Sequence, residues 1–248
     1  MRWMLLSLAA GLMLLALGIT TTDTASSLRC VAVTAVVGVL APLFWPGSAD
    51  TPARTAWRVG GWSLAAAGLA LALLLVLGRG QPMPALRPAL GACLMLLPLL
   101  LLGHALAAGL QALWRPSAGH PAHAHDGARA LAGLAASLAL VLLGALPLWL
   151  GPAAELLSVD HAGINDLVVG LSPLTHLAVA SDNDLLRNQW FYEHSNLAAL
   201  PVAYPGLADI GMAYAAVLLT LMLALAGLAR RRRPADAVPI PSPTEPVR

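Results

Sequence analysis

Six residues between two long apolar runs, His161, His176, Asp182, Asp184, Glu193 and His194, are of types that could do chemistry. Carboxylates close to imidazoles can work as a general acid and base, or can hold a metal ion through oxygen and nitrogen ligands. The segment that carries them runs from about Gly151 to Pro205 and includes Glu155, Asp160 and Asp166, so it holds half of the chain's 12 acidic residues. Neither chemistry has a diagnostic spacing. There is no HExxH, no G-x-S-x-G, and no serine in the small-x-Ser-Gly setting of an intramembrane protease. Asp182 and Asp184, just before Leu185, suit the capping of a helix, and Glu193 and His194 suit its solvated rim. Leu186, Trp190 and His194 recur four apart and would share one helix face. Spacing therefore predicts no catalytic residue, no metal site and no cofactor. It predicts a gate or docking segment built from Ser172, Pro173, His176, Asp182, Asp184, Trp190, Phe191, Tyr192, Glu193 and His194.

The elements that would position these residues are lipid-soluble. The chain is 58% hydrophobic and only 10% charged, against about 25% charged for soluble domains. Six apolar runs, near 3–20, 30–46, 59–78, 89–113, 131–151 and 207–229, are each roughly long enough to cross a bilayer core of about 30 Å. Backbone amides in lipid must be satisfied within their own segment, so these runs are expected to be helices. The expected fold is all-α, a polytopic membrane bundle of about six helices over 1–233 with a disordered tail at 234–248. Trp3, Trp45, Trp57, Trp62, Trp114 and Trp149 fall at or near the run ends, where indole rings favour the headgroup level.

The segment between runs five and six reads as short helices. Ser172-Pro173 is a helix start, with a capping hydroxyl followed by a proline that fits the first turn. Leu174 to Ala180 behind it is too short to span, and Ile164 to Leu171 is a second short apolar piece. Re-entrant or interfacial helices at 152–205 are expected, with a folded loop as the alternative. Elsewhere, His104 is an ionisable group deep in the fourth run. It is read either as a functional polar site or as a neutral imidazole bonded to a neighbouring helix. His120 to Asp126 reads as a solvated, histidine-rich loop. Asp209 sits where a helix dipole favours a carboxylate.

Charge placement orients the bundle. Arg230 to Arg233 follow the last run, which places that end in the cytoplasm and, counting back six spans, the N-terminus as well. Nine arginines near cytoplasmic run ends then oppose four outside, with Arg79 and Arg87 dissenting. The first run reads alternatively as a cleaved signal peptide. All 14 basic residues are arginine, so a lysine-dependent phosphate loop is excluded, and any ATP hydrolysis belongs to another chain. Topology and anionic lipid explain the arginine run better than nucleic acid does. Cys30 and Cys93 can be two separate apolar residues or, in an oxidising compartment, a bridge.

This layout resembles the permease subunits of type-2 ABC exporters. The resemblance rests on six spans in about 250 residues, both termini inside, and a non-spanning segment between spans five and six. Ser172-Pro173-Leu174-Thr175-His176-Leu177 stands where that family commonly has an Asn-Pro-Leu or Ser-Pro-Leu element and a short helix. Two features depart from the family: hydrophobic sequence begins at Trp3, where an amphipathic cytoplasmic helix is usual, and Ala178-Val179-Ala180 replaces the acidic residue after the proline motif. The resemblance implies a bacterial inner-membrane export subunit, partnered by the lipid bilayer, a separate ATPase and a second permease, identical or related. A membrane enzyme or metal-handling protein using the outer cluster is one alternative, and a non-catalytic assembly subunit is another.

Overall fold

The computed structural model describes residues 24–47, 51–77, 82–114, 122–150, 163–184, 193 and 203–231. Among them every regular element is helical and no strand occurs. They are α1 (Thr24–Leu40), a 3-10 turn (Ala41–Phe44), α2 (Pro52–Leu77), α3 (Met83–Trp114), α4 (Ala122–Gly144), the single turn α5 (Leu146–Trp149), α6 (Ile164–Leu171), α7 (Pro173–Ala180) and α8 (Leu207–Arg231). Four stretches are long and apolar enough to cross a membrane: Ala53–Val76, Leu86–Trp114, Ala124–Gly144 and Leu207–Ala224. Val31–Phe44 is apolar but shorter, and the run at 3–20 lies outside the described residues.

Helix α3 is the centre of the bundle. Its sequence is apolar on all sides, so no face needs water, and it packs against α1, α2, α4, α7 and α8. Its spanning window is 61% buried within the protein, against 11% for that of α8, which rests on the bundle by an edge carrying Ile210 and Tyr214. Thr51 opens α2 as its cap, its Oγ1 accepting from Arg54 N at 3.3 Å. At the start of α8, Asp209 reaches back to accept from Gly206 N at 3.2 Å, satisfying an amide that the helix leaves orphaned.

Two of the sequence expectations change. The histidine-rich stretch is helical from Ala122 on, where α4 begins, and Asp126 pairs with Arg129 one turn on at 3.3 Å. Alanines at 122, 124, 128 and 130 supply the helix propensity that the histidines lack. Trp45 does not sit in an interfacial belt. The 3-10 turn carries it back into the bundle, where it is 3% exposed and its indole Nε1 donates to Gln111 Oε1 at 3.1 Å. Trp57, 82% exposed, and Trp149 do lie on the surface as expected of belt residues.

The turn that redirects Trp45 is seated on two glycines. A Cβ on Gly103 of α3 would lie 2.8 Å from Pro42 Cγ, and one on Gly133 of α4 would lie 2.5 Å from the Pro42 carbonyl oxygen. Only glycine lets helix and turn approach this closely.

Candidate functional site

The segment between α5 and α8 contains the structure expected of Ser172-Pro173. Ser172 is fully buried and extended (φ −83°, ψ 117°), and Pro173 is the first residue of α7. The Ser172 hydroxyl does two things. It accepts from Thr175 N at a long 3.5 Å, as an N-cap does, and it donates to the Gly144 carbonyl at 2.8 Å. That second bond ties the start of α7 to the carbonyls that α4 exposes where it ends.

The far end of α7 closes with Asp182, not with a glycine. Asp182 N donates to Val179 O at 3.1 Å and Asn183 N to Ala178 O at 2.9 Å, the paired bonds of a Schellman ending. The motif needs a left-handed residue, and Asp182 supplies it at φ 56°. Asp182 thus terminates the preceding helix, while the helix expected to begin after Asp184 lies outside the described residues. The Asp182 carboxylate faces Arg87 Nε of α3 at 3.6 Å, with both side chains well exposed. This ion pair accounts for one of the two arginines that dissented from the charge bias.

Between these ends, α7 is inserted into the bundle. It packs on α1, α3, α4, α6 and α8 and buries Pro173, Thr175, His176, Leu177 and Ala178. The C-terminal turn approaches α3 so closely that a Cβ on Gly91 would collide with the Ala180 carbonyl oxygen. Helix α6 lies alongside with Asn165, Val168 and Val169 buried and Leu167 and Leu171 exposed, a one-sided pattern.

His176 is held from two directions. Its Nε2 lies 2.8 Å from the Gly170 carbonyl, which only accepts, so Nε2 carries the proton. Nδ1 is then an acceptor and meets the Tyr214 hydroxyl of α8 at 3.5 Å, with the two rings edge to face, 5.5 Å apart. Burial holds the His176 imidazole below its usual value, partly offset by the Gly170 bond.

The carboxylates do not converge. Asp166 accepts from Ala203 N at 2.9 Å, Asp184 accepts from the Tyr204 hydroxyl at 2.6 Å, and Asp182 faces Arg87. Each works as a separate tie, and no group of three potential metal ligands is assembled among the described residues. Glu193 is exposed and helical, whereas Trp190, Phe191, Tyr192, His194 and His161 lie outside the described residues.

His104, fully buried, forms a separate polar tie. Its Nδ1 is 3.0 Å from Ser63 Oγ of α2, and the ring of Trp45, at the end of the 3-10 turn, lies 5.6 Å away. These contacts join α2, α3 and the 3-10 turn, which matches the reading of His104 as an imidazole bonded to neighbouring elements. Sequence reasoning missed Ser63 and Trp45 as its partners. Cys93 is buried in the core.

Four apolar helices of spanning length, three of which pack on the buried, non-spanning α7, define a multi-pass α-helical membrane bundle. Comparison with protein-family models, curated proteins and solved structures gives no match to this chain.

Proposed function

We propose that the protein is a permease-like subunit of an export system that relies on a separate ATPase. The observation that carries this reading is α7: a capped, eight-residue helix at Ser172-Pro173, inserted among α1, α3, α4 and α8 without spanning. The exporter permeases that the sequence resembles place a short helix after a similar proline element between their last two spans. In this reading 3–20 and 30–46 add two spans to the four long ones, both termini are cytoplasmic, and the chain sits in a bacterial inner membrane. The α7 end of the bundle then faces outward, Leu167 and Leu171 of α6 meet lipid at the outer interface, and Arg54, Arg58 and Arg129 mark the cytoplasmic end. Helix α7 and its ties form an external gate or a docking surface for a second permease.

Dispersal of Asp166, Asp182 and Asp184 onto three different partners gives the enzyme and metal-handling readings no support. The test is co-purification from native membranes followed by deletion. An associated nucleotide-binding chain and a lost export phenotype are expected. Purification without any ATPase, together with intact export after deletion, overturns the proposal.

A further inference from the structure

Helix α7 is held by contacts of unequal strength. Its apolar side chains are well buried, and Leu177 packs with Val31, Leu99, Leu140 and Ile210. Yet Thr175 Oγ1 and Ser181 Oγ, both on or at the end of α7 and fully buried, find no hydrogen-bond partner among the described residues. A buried hydroxyl left without a partner has lost its hydrogen bonds to water, and exposure to water restores them. The docked position is therefore opposed by its own polar groups. One contact with the last span is polar and titratable, namely His176 Nδ1 against the Tyr214 hydroxyl.

We propose that the His176–Tyr214 contact is an acid-sensitive latch, which keeps α7 docked against α8 while the imidazole is neutral and releases it when protons reach the ring. This rests on the reading of α7 as the external gate and adds its regulation. In the neutral ring Nε2–H donates to Gly170 O and Nδ1 accepts from the tyrosine. A second proton makes Nδ1 a donor. The tyrosine must then turn its hydroxyl hydrogen away, and a cation stands buried with a carbonyl and a neutral phenol for company.

Among the described residues, no carboxylate is placed to compensate that charge. On α8 the other acidic group is Asp209, bonded to Gly206 N, and on α6 it is Asp166, bonded to Ala203 N. On α3, Arg87 is engaged with Asp182, Cys93 is buried in the core, and His104 is joined to Ser63. Residues 31–40 of α1 contain no ionisable group, and the ionisable groups of α4 (His123, His125, Asp126 and Arg129) lie in its first two turns, away from Gly144 where α7 attaches.

The sign follows from linkage. Burial depresses the His176 pKa in the docked state, so docking is at full strength above the ordinary histidine value and weakens as pH falls below it. One proton taken up by the undocked state alone raises its population by up to about tenfold between about pH 7.5 and 5.5.

The experiment uses the full chain in proteoliposomes with Cys30 and Cys93 replaced by alanine. Ser181→Cys reports undocking through its labelling rate with a water-soluble maleimide. The rate is divided by that of Ala203→Cys, exposed in the stretch just ahead of α8, which cancels the reagent's own pH dependence. The expected result is a relative rate several-fold higher at the acid pH, and a flat profile in His176→Gln. A flat wild-type profile, or a rise that persists in His176→Gln, overturns the latch. If His176→Gln does not fold, Tyr214→Phe takes its place. It keeps the ring contact and removes the hydroxyl, so faster labelling at neutral pH is expected and an unchanged rate overturns the proposal. The readout is movement, not transport, so failure of the latch leaves the ATPase-coupling test standing, and the reverse also holds.

Discussion

Replacing Gly91 by alanine tests the docking of α7 at its closest point. Taken alone, the change should stabilise α3, because glycine inside a helix costs about 0.5–1 kcal/mol relative to alanine. The structure reverses that sign. The new Cβ would collide with the Ala180 carbonyl, and the obstacle is backbone, which cannot swing aside as a side-chain end can. Overpacking of this kind costs about 1–3 kcal/mol and more where backbone must move. Gly109 provides the control in the same helix, since a Cβ there meets nothing within 4 Å. Gly109→Ala should therefore gain about 0.5–1 kcal/mol. The helix gain is common to both, so the two substitutions should differ by the overpacking cost, about 1–3 kcal/mol or more, with Gly91→Ala the less stable. Unfolding of the purified protein in detergent gives the comparison, with labelling of Ser181→Cys showing whether α7 is what has moved. Equal stabilisation by both alanines would refute the close approach, and with it the insertion of α7.

Three further outcomes follow from the ties around the site. Ser172→Ala should cost about 1–2 kcal/mol, and Ser172→Asp should be worse still in unfolding, although aspartate is a good cap, because it cannot donate to Gly144 O. Asp182→Gly should be near neutral, since removing left-handed strain of about 1–2 kcal/mol offsets the loss of an exposed ion pair worth at most about 1 kcal/mol. Asp182→Val should be clearly destabilising by the same assay, because a β-branched residue resists that conformation. A double-mutant cycle of Ser63→Ala and His104→Leu should give a coupling of about 0.5–1.5 kcal/mol, and a value near zero would show that the 3.0 Å contact is not a working bond.

What the sequence revealed about this protein divides along a physical line. Apolar length announces spanning helices, because the bilayer imposes it on each segment separately. The start of α7 was equally legible, since Ser-Pro at a helix entry is a local device whose chemistry does not depend on the rest of the fold. Asp182 was only half legible, because aspartate serves as an N-cap or, less commonly, as the left-handed residue of a helix ending, and the second role shows only in the bonds to Ala178 and Val179. Trp45 was misread for a related reason. A tryptophan at the end of an apolar run suggests an interface, and nothing local shows that Gly103 and Gly133, some 60 and 90 residues later, admit the turn that folds it inward. The dispersal of the acidic residues was likewise invisible, because their partners Arg87, Ala203 and Tyr204 are distant in sequence.

The partly legible α7 and the misread Trp45 turn meet on the same helix. Helix α7 rests on Gly91 and the 3-10 turn on Gly103, both of α3. Twelve residues separate the two glycines, which at about 1.5 Å per residue places the contacts roughly 18 Å apart along the axis. At each point a short helical element that does not span by itself meets α3 where a side chain is absent, and each has a buried histidine beside it: His176 within α7, and His104 next to Gly103. The histidines differ in what they join. His104 ties α2, α3 and the Trp45 turn, all elements of the central packing, through bonds that stay buried if α7 moves. His176 ties an eight-residue helix to α8, the span with the least of its surface inside the bundle. Loss of the first bond weakens a core from within, whereas loss of the second frees a short helix at the margin. Movement in this fold is therefore expected first at α7, with α3 and its Trp45 turn as the fixed frame.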